Sequence, residues 1–155
     1  MSESTAAKLS KLGITLPKPT PAAGTYSPYI ISGNLVFISG QVPVGPSGLE
    51  FQGKVGDKFN VDEAKAAARL CAINILSQLS AALDGDLDRV TRCVKLGGFV
   101  NSVPEFGDHP AVMNGASDLM VEVFGEKGKH ARFAVGAPSL PFDVAVEVEA
   151  IFEIA

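Results

Sequence analysis

Cysteine is scarce, with Cys71 and Cys93 the two in 155 residues. They stand apart in apolar surroundings, at a spacing that makes neither a disulfide framework nor a zinc site, and both are expected to be plain buried thiols. Histidine is as rare. His109 and His130 fall in no HxxxH or HxxE spacing, so a zinc site and any metal cofactor are not expected. No serine sits in a nucleophile elbow, which removes the usual signature of a hydrolase triad. No apolar run approaches the roughly 18 residues of a membrane helix. No Lys/Arg-rich run offsets the net charge of −4, which argues against nucleic acid as a partner. The first residues hold no apolar signal-peptide core, so a cytoplasmic chain with no membrane partner is expected.

Glycine-rich phosphate loops are missing too. Gly40-Gln41-Val42-Pro43-Val44-Gly45 is neither a P-loop nor a dinucleotide fingerprint, because no helix follows to offer its N-terminus to a phosphate. It reads as a strand-end turn, or as a stretch whose backbone N–H groups near Gly40 face a ligand, since glycine permits close approach. What the chain has in quantity is apolar surface. Hydrophobic residues make up 46% and charged residues 19%, with a mean hydropathy of +0.24. Interfaces between copies of the chain account for this surplus better than lipid does.

The pattern of elements is α+β. Ser2 to Gly13 reads as a short helical arm, and Pro17-Lys18-Pro19-Thr20-Pro21 as an extended connector. Residues 1–25 thus form an appendage to a domain at 26–155. Tyr29–Ser32 and Leu35–Ser39 flank Gly33-Asn34, a two-residue hairpin signal. Pro46-Ser47-Gly48 marks a turn, followed by an expected short strand to about Val55. Asn60 to Leu83 is a helix, with Asn60 and Glu63 as a capping box and Ala68, Ala72, Ile75, Leu79 and Leu83 on one face. Arg89 to Val100 is a strand, Pro110 to Phe124 a second helix closed by Gly125, and Ala131–Gly136 and Val144–Ile154 the last two strands. One sheet with two helices on one face is the simplest packing, and its other face then needs cover.

Arg132 is the residue that stands out. It is a lone cation in Ala131-Arg132-Phe133-Ala134-Val135-Gly136, which reads as a buried strand. A desolvated charge is costly unless paired. An arginine and Glu147 on adjacent buried strands would make either a structural ion pair or a site for a small carboxylate, which the guanidinium grips bidentately. Glu147 and Glu149 share one strand face opposite Val146, Val148 and Ala150. That face is either plainly solvated or part of a site. Tyr29 reads as core or edge as readily as functional. Asn114 is a poor helix former inside a helix, so it is either simply exposed or held there by its side chain.

Taken together, the chain from Tyr26 onward resembles the Rid (YjgF-like) family of reactive-intermediate deaminases. The resemblance rests on Tyr26-Ser27-Pro28-Tyr29, Gly33 through Pro43, Val94-Lys95 with Phe99-Val100, Asn114, Ala131-Arg132-Phe133-Ala134-Val135, Leu140-Pro141 and Val146 through Ile151. It implies a chorismate-mutase-like fold in a homotrimer with sites in the clefts between subunits. It implies that Arg132 binds the carboxylate of a small 2-imino acid and Glu147 positions the hydrolytic water. Tyr29, Asn114 and backbone groups near Gly40 and Ala134 would line the same cleft, with no cofactor. The sequence departs from the family pattern at Gly107-Asp108-His109-Pro110, at Ser117 where many members carry tyrosine, at Ala134 where some carry cysteine, and in the N-terminal arm. The expected function is deamination of 2-aminoacrylate-type enamines and imines to 2-keto acids. The alternatives are a non-catalytic carboxylate-binding regulatory trimer and, on older family labels, a ribonuclease or translation inhibitor.

Overall fold

The computed structural model describes residues 3–155; Ser2, part of the expected arm, lies outside them. Helix α1 (Thr5–Lys11) is capped by Ser4, whose hydroxyl accepts from the Ala7 N–H. It buries Leu9, packs on the second long helix, and is tied down where the Thr5 N–H donates to Asp88 Oδ1 at 2.9 Å.

Strands β1 (Tyr29–Ser32) and β2 (Leu35–Gln41) form the expected hairpin, with Ser32 opposite Leu35 and Gly33 at φ 61° in the turn. The chain does not continue into a further strand to Val55. Val44–Gly45 (β3) and Gly48–Leu49 (β4) close a miniature hairpin instead. Phe51 at φ 54° and Gly53 at φ 140° then take backbone conformations no regular strand has, and only isolated bridges tie Gln52 to Val144 and Val55 to Ser102.

Helix α2 (Val61–Ala82) starts at a complete capping box. The Glu63 N–H donates to Asn60 Oδ1 at 2.9 Å and the Asn60 N–H to Glu63 Oε1 at 3.0 Å. Strand β5 (Val90–Asn101), helix α3 (His109–Phe124), strand β6 (Ala131–Ala137) and strand β7 (Val146–Ile154) complete the chain. Gly125 stops α3 with φ 63°.

The mixed sheet runs β1-β2-β7-β5-β6, antiparallel throughout except for the parallel β5–β6 pair joined by α3. Helices α2 and α3 cross on one face. Ile75, Leu76 and Leu79 of α2 and Leu119 and Met120 of α3 are fully buried with Val36, Leu96 and Phe152 of the sheet. Two glycines allow the close approach. Gly98 leaves room for Met113, and Gly115 lets α3 ride directly on the Lys65 backbone of α2. The opposite face of the sheet is bare, with Ile30, Phe37, Phe99 and Val135 between 37% and 53% exposed.

The topology corrects two expectations. Strand β6 is not buried but forms the sheet's edge, with Ala131, Val135 and Gly136 exposed. Strands β6 and β7 are not adjacent, because β5 lies between them.

Candidate functional site

Register decides which expected site residues can meet. Leu96 of β5 lies opposite both Ala150 of β7 and Arg132 of β6, and Leu96 and Ala150 are buried beneath the helices. Arg132 therefore points to the helix side. Phe99 lies opposite both Glu147 and Val135, on the bare face. Two strand spacings and three residues of offset separate the Arg132 and Glu147 backbones by on the order of 14 Å. No ion pair joins them within one chain. The candidate residues fall into two groups.

The first group surrounds Arg132. Its NH1 donates to Asn114 Oδ1 at 2.9 Å and to Ser117 Oγ at 3.1 Å, and its NH2 donates to the Pro110 carbonyl at 3.4 Å. These are all neutral acceptors, and among the described residues no carboxylate comes within salt-bridge distance of it. Asn114 thus has the side-chain reason its place in a helix called for. Behind Ser117 stands His130. Its Nδ1 lies 2.6 Å from the Gly128 carbonyl, so that nitrogen carries the proton, and in the neutral ring Nε2 accepts from the Ser117 hydroxyl at 2.8 Å. The chain Gly128–His130–Ser117–Arg132 fixes the guanidinium from behind. Sequence reasoning did not assign Ser117 or His130 to the site, although His130 lies two residues before Arg132, just ahead of β6. Ala134, two residues beyond Arg132, is half-buried on that face and packs against the core.

The second group surrounds Glu147. A bulge between Ile38 and Gln41 breaks the β2–β7 register, and the Glu147 carboxylate lies against Gly40 in the space a side chain there would fill. Burial, and then the charge of Glu149, push the Glu147 carboxyl above the usual carboxylate range. Both charged groups therefore have unusual surroundings: a cation with neutral neighbours, and an acid held towards its protonated form. A cavity of about 510 Å³ opens on Gly40, Gln41 and Glu147 and is walled by Tyr26, Pro28 and Phe142. Tyr29, by contrast, is half-buried against the core, and Tyr26 rather than Tyr29 lines this cavity. The thiols take no part. Burial pushes Cys93 up to about 12 and raises Cys71 well above the ordinary thiol range, so neither is a nucleophile.

Residues 6–154 match the family described as "YjgF/chorismate mutase-like, putative endoribonuclease". The chain belongs to the YjgF family. Among YjgF-family relatives it is 51% identical to Protein TCP17 of Trypanosoma cruzi over 96% of this chain and 93% of that one. The crystal structure of Atu1372 from Agrobacterium tumefaciens, a protein of unknown function, shares 49% identity and superposes with a TM-score of 0.91, covering 98% of this chain and 94% of that one. RidA from an Antarctic Psychrobacter is 30% identical, with a TM-score of 0.59 over 91% of this chain and 97% of its own. No helix among the described residues is long and apolar enough to cross a membrane.

Proposed function

We propose that this YjgF-family chain is an enamine/imine deaminase, a hydrolase of small 2-imino acids whose site is completed between copies of the chain. The observation that carries this reading is the guanidinium of Arg132, fixed by three oxygens that are all neutral, so that its charge is left for an anionic ligand. A carboxylate is the anion whose geometry the fork matches. Glu147 supplies the complementary chemistry. Burial holds its carboxyl above the usual carboxylate range, which suits it to hold and pass a proton.

In the reaction an enamine of the 2-aminoacrylate type first takes a proton at carbon and becomes the imine. Water adds to the imine carbon, its proton passing through Glu147 to the nitrogen. The hydroxyl proton then passes to the nitrogen as the C=O bond forms and the C–N bond breaks, so ammonia leaves and the 2-keto acid remains. Arg132 holds the carboxylate so that the imine carbon faces the acid.

Because Arg132 and Glu147 lie on opposite faces of one sheet, the site joins Arg132 of one copy to Glu147 of another. The bare apolar face at Ile30, Phe37, Phe99 and Val135 gives the surface for that association, in a homotrimer. The test is release of 2-keto acid and ammonia from a threonine- or serine-dehydratase reaction. Wild-type protein should accelerate it, and Arg132→Ala should lose at least about tenfold of the effect, equivalent to 1.4 kcal/mol. Equal rates for the two proteins would refute the assignment.

A further inference from the structure

The cavity beside Glu147 is larger and more apolar than a 2-aminoacrylate-sized substrate needs. Its volume of about 510 Å³ lies within the range of sites for drug-sized ligands. Three segments distant in sequence wall it: the connector from Thr20 to Tyr26, the stretch carrying Val42, Val44 and Leu49, and Phe142. Glu147 is the one carboxylate that lines it, and no lysine, arginine or histidine does.

The walls are pegged from inside the core. Asn74, Ser77 and Gln78 lie on one face of α2 and are 1–4% exposed. Each donates to a carbonyl of a wall or its lead-in. Asn74 Nδ2 reaches the Val42 and Val44 carbonyls at 2.9 and 3.1 Å, Ser77 Oγ the Pro17 carbonyl at 2.5 Å, and Gln78 Nε2 the Thr20 carbonyl at 2.7 Å. Buried polar side chains are costly without such partners, and asparagine and serine are poor residues for a helix interior, so this face of α2 exists to fix the two loops. The third wall is held in an unfavourable conformation. Phe142 sits at φ 60°, ψ 15° with its ring 56% exposed, and Gln52 Nε2 donates to its carbonyl at 2.8 Å. A large ring kept in water on a strained backbone marks a position set by its use.

We propose that this cavity receives the substrate's side chain, and that the protein acts on 2-imino acids with a bulky apolar side chain, branched aliphatic or aromatic, in preference to the 2-aminoacrylate class. The proposal rests on Arg132 and Glu147 acting as described above. No cation among the described residues lines the cavity, so the substrate carboxylate goes to Arg132 of the neighbouring copy. With the imine carbon between them, the remaining substituent points into the space bounded by Tyr26, Val42, Leu49 and Phe142. An acidic side chain would likewise find no cation there, which narrows the class to uncharged groups.

Calorimetric titration of three product acids tests this: 2-oxopropanoate, 4-methyl-2-oxopentanoate and 2-oxo-3-phenylpropanoate. The wild type should bind the two larger acids at least about tenfold more tightly than the smallest, since methylenes in an apolar pocket each contribute measurably. Ala23 lies in an exposed stretch of the connector wall, so Ala23→Trp fills the cavity without disturbing the core. That variant should lose the preference for the two larger acids. Equal affinities in the wild type, a preference unchanged by Ala23→Trp, or no binding of any of the three acids would overturn the proposal. Arg132→Ala separates it from the reading it rests on. If that variant binds every acid as the wild type does and size selection persists, the cavity stands as the side-chain site and Arg132 falls as the carboxylate clamp.

Discussion

Gly115→Ala separates packing from helix propensity, because the two predict opposite signs. Alanine is the better helix former by about 1 kcal/mol, so in an exposed helix the change would stabilise. At Gly115, however, a Cβ would overlap the Lys65 carbonyl oxygen and sit 2.9 Å from its carbon and 3.2 Å from its Cα, inside the 3.4 Å where ordinary contact begins. These are backbone atoms of α2, and no rotamer change moves them. The helices must part by roughly an ångström. Overpacking of this kind costs about 1–3 kcal/mol and more where backbone must shift. Set against the propensity gain, the net loss is about 2 kcal/mol, which lowers Tm by roughly 4–8 °C for a chain of this length. Asn114 is the adjacent residue and Ser117 lies half a turn on, so the same displacement moves two of the oxygens that hold Arg132. Thermal or urea unfolding measures the first effect, and titration with a 2-keto acid the second. A variant as stable as the wild type, or more so, refutes the claim that α3 rests on the α2 backbone through Gly115.

Two further substitutions probe the two halves of the site. The Glu147 carboxyl is raised by burial and by Glu149, so above its unfolded pKa the folded state binds more protons than the unfolded one, and stability falls as pH rises through the folded value. Glu147→Gln should therefore raise Tm at neutral pH relative to wild type while abolishing imine hydrolysis, with the stabilisation shrinking below the usual carboxylate range; a pH series of melting curves showing a constant difference would sink this. Ser117→Ala removes one acceptor from Arg132 and the link to His130. It should weaken 2-keto acid binding roughly five- to tenfold, about 1–1.4 kcal/mol for one hydrogen bond to a charged group, with little change in Tm. Unchanged affinity would show that Asn114 and the Pro110 carbonyl suffice to fix the guanidinium.

The local signals in the sequence were legible because each depends on neighbours along the chain. The Gly33 turn, the Asn60–Glu63 box and the Gly125 stop are all where turn and capping chemistry puts them. The short strand after Gly48 was not, since the positive φ of Phe51 has no residue-type signal. Strand order is a different matter, because it is set by contacts far apart in sequence. Yet one part of it could have been read. A strand, a helix and a strand in succession, as in β5–α3–β6, call for a parallel pair of neighbours. That rule places β5 beside β6 but leaves open which side of the pair β7 joins, and the structure puts it against β5.

The correction changes what the two residues mean. Were β6 next to β7, a salt bridge between Arg132 and Glu147 would account for both, and neither would point to a ligand. With β5 between them and their side chains on opposite faces, each must be explained separately. Arg132 then has a framework of neutral oxygens that leaves its charge uncompensated, and Glu147 has a buried setting that resists ionisation. In the function proposed above, a carboxylate-bearing imine would answer both, its anion meeting Arg132 of one copy and its nitrogen the Glu147 proton of another. The polar face of α2 follows the same logic. Asn74, Ser77 and Gln78 add nothing to an apolar core, but they hold the loops that shape the space next to Glu147. Polar residues that interrupt the apolar pattern of α2 thus mark, from inside the core, the segments that wall this cavity.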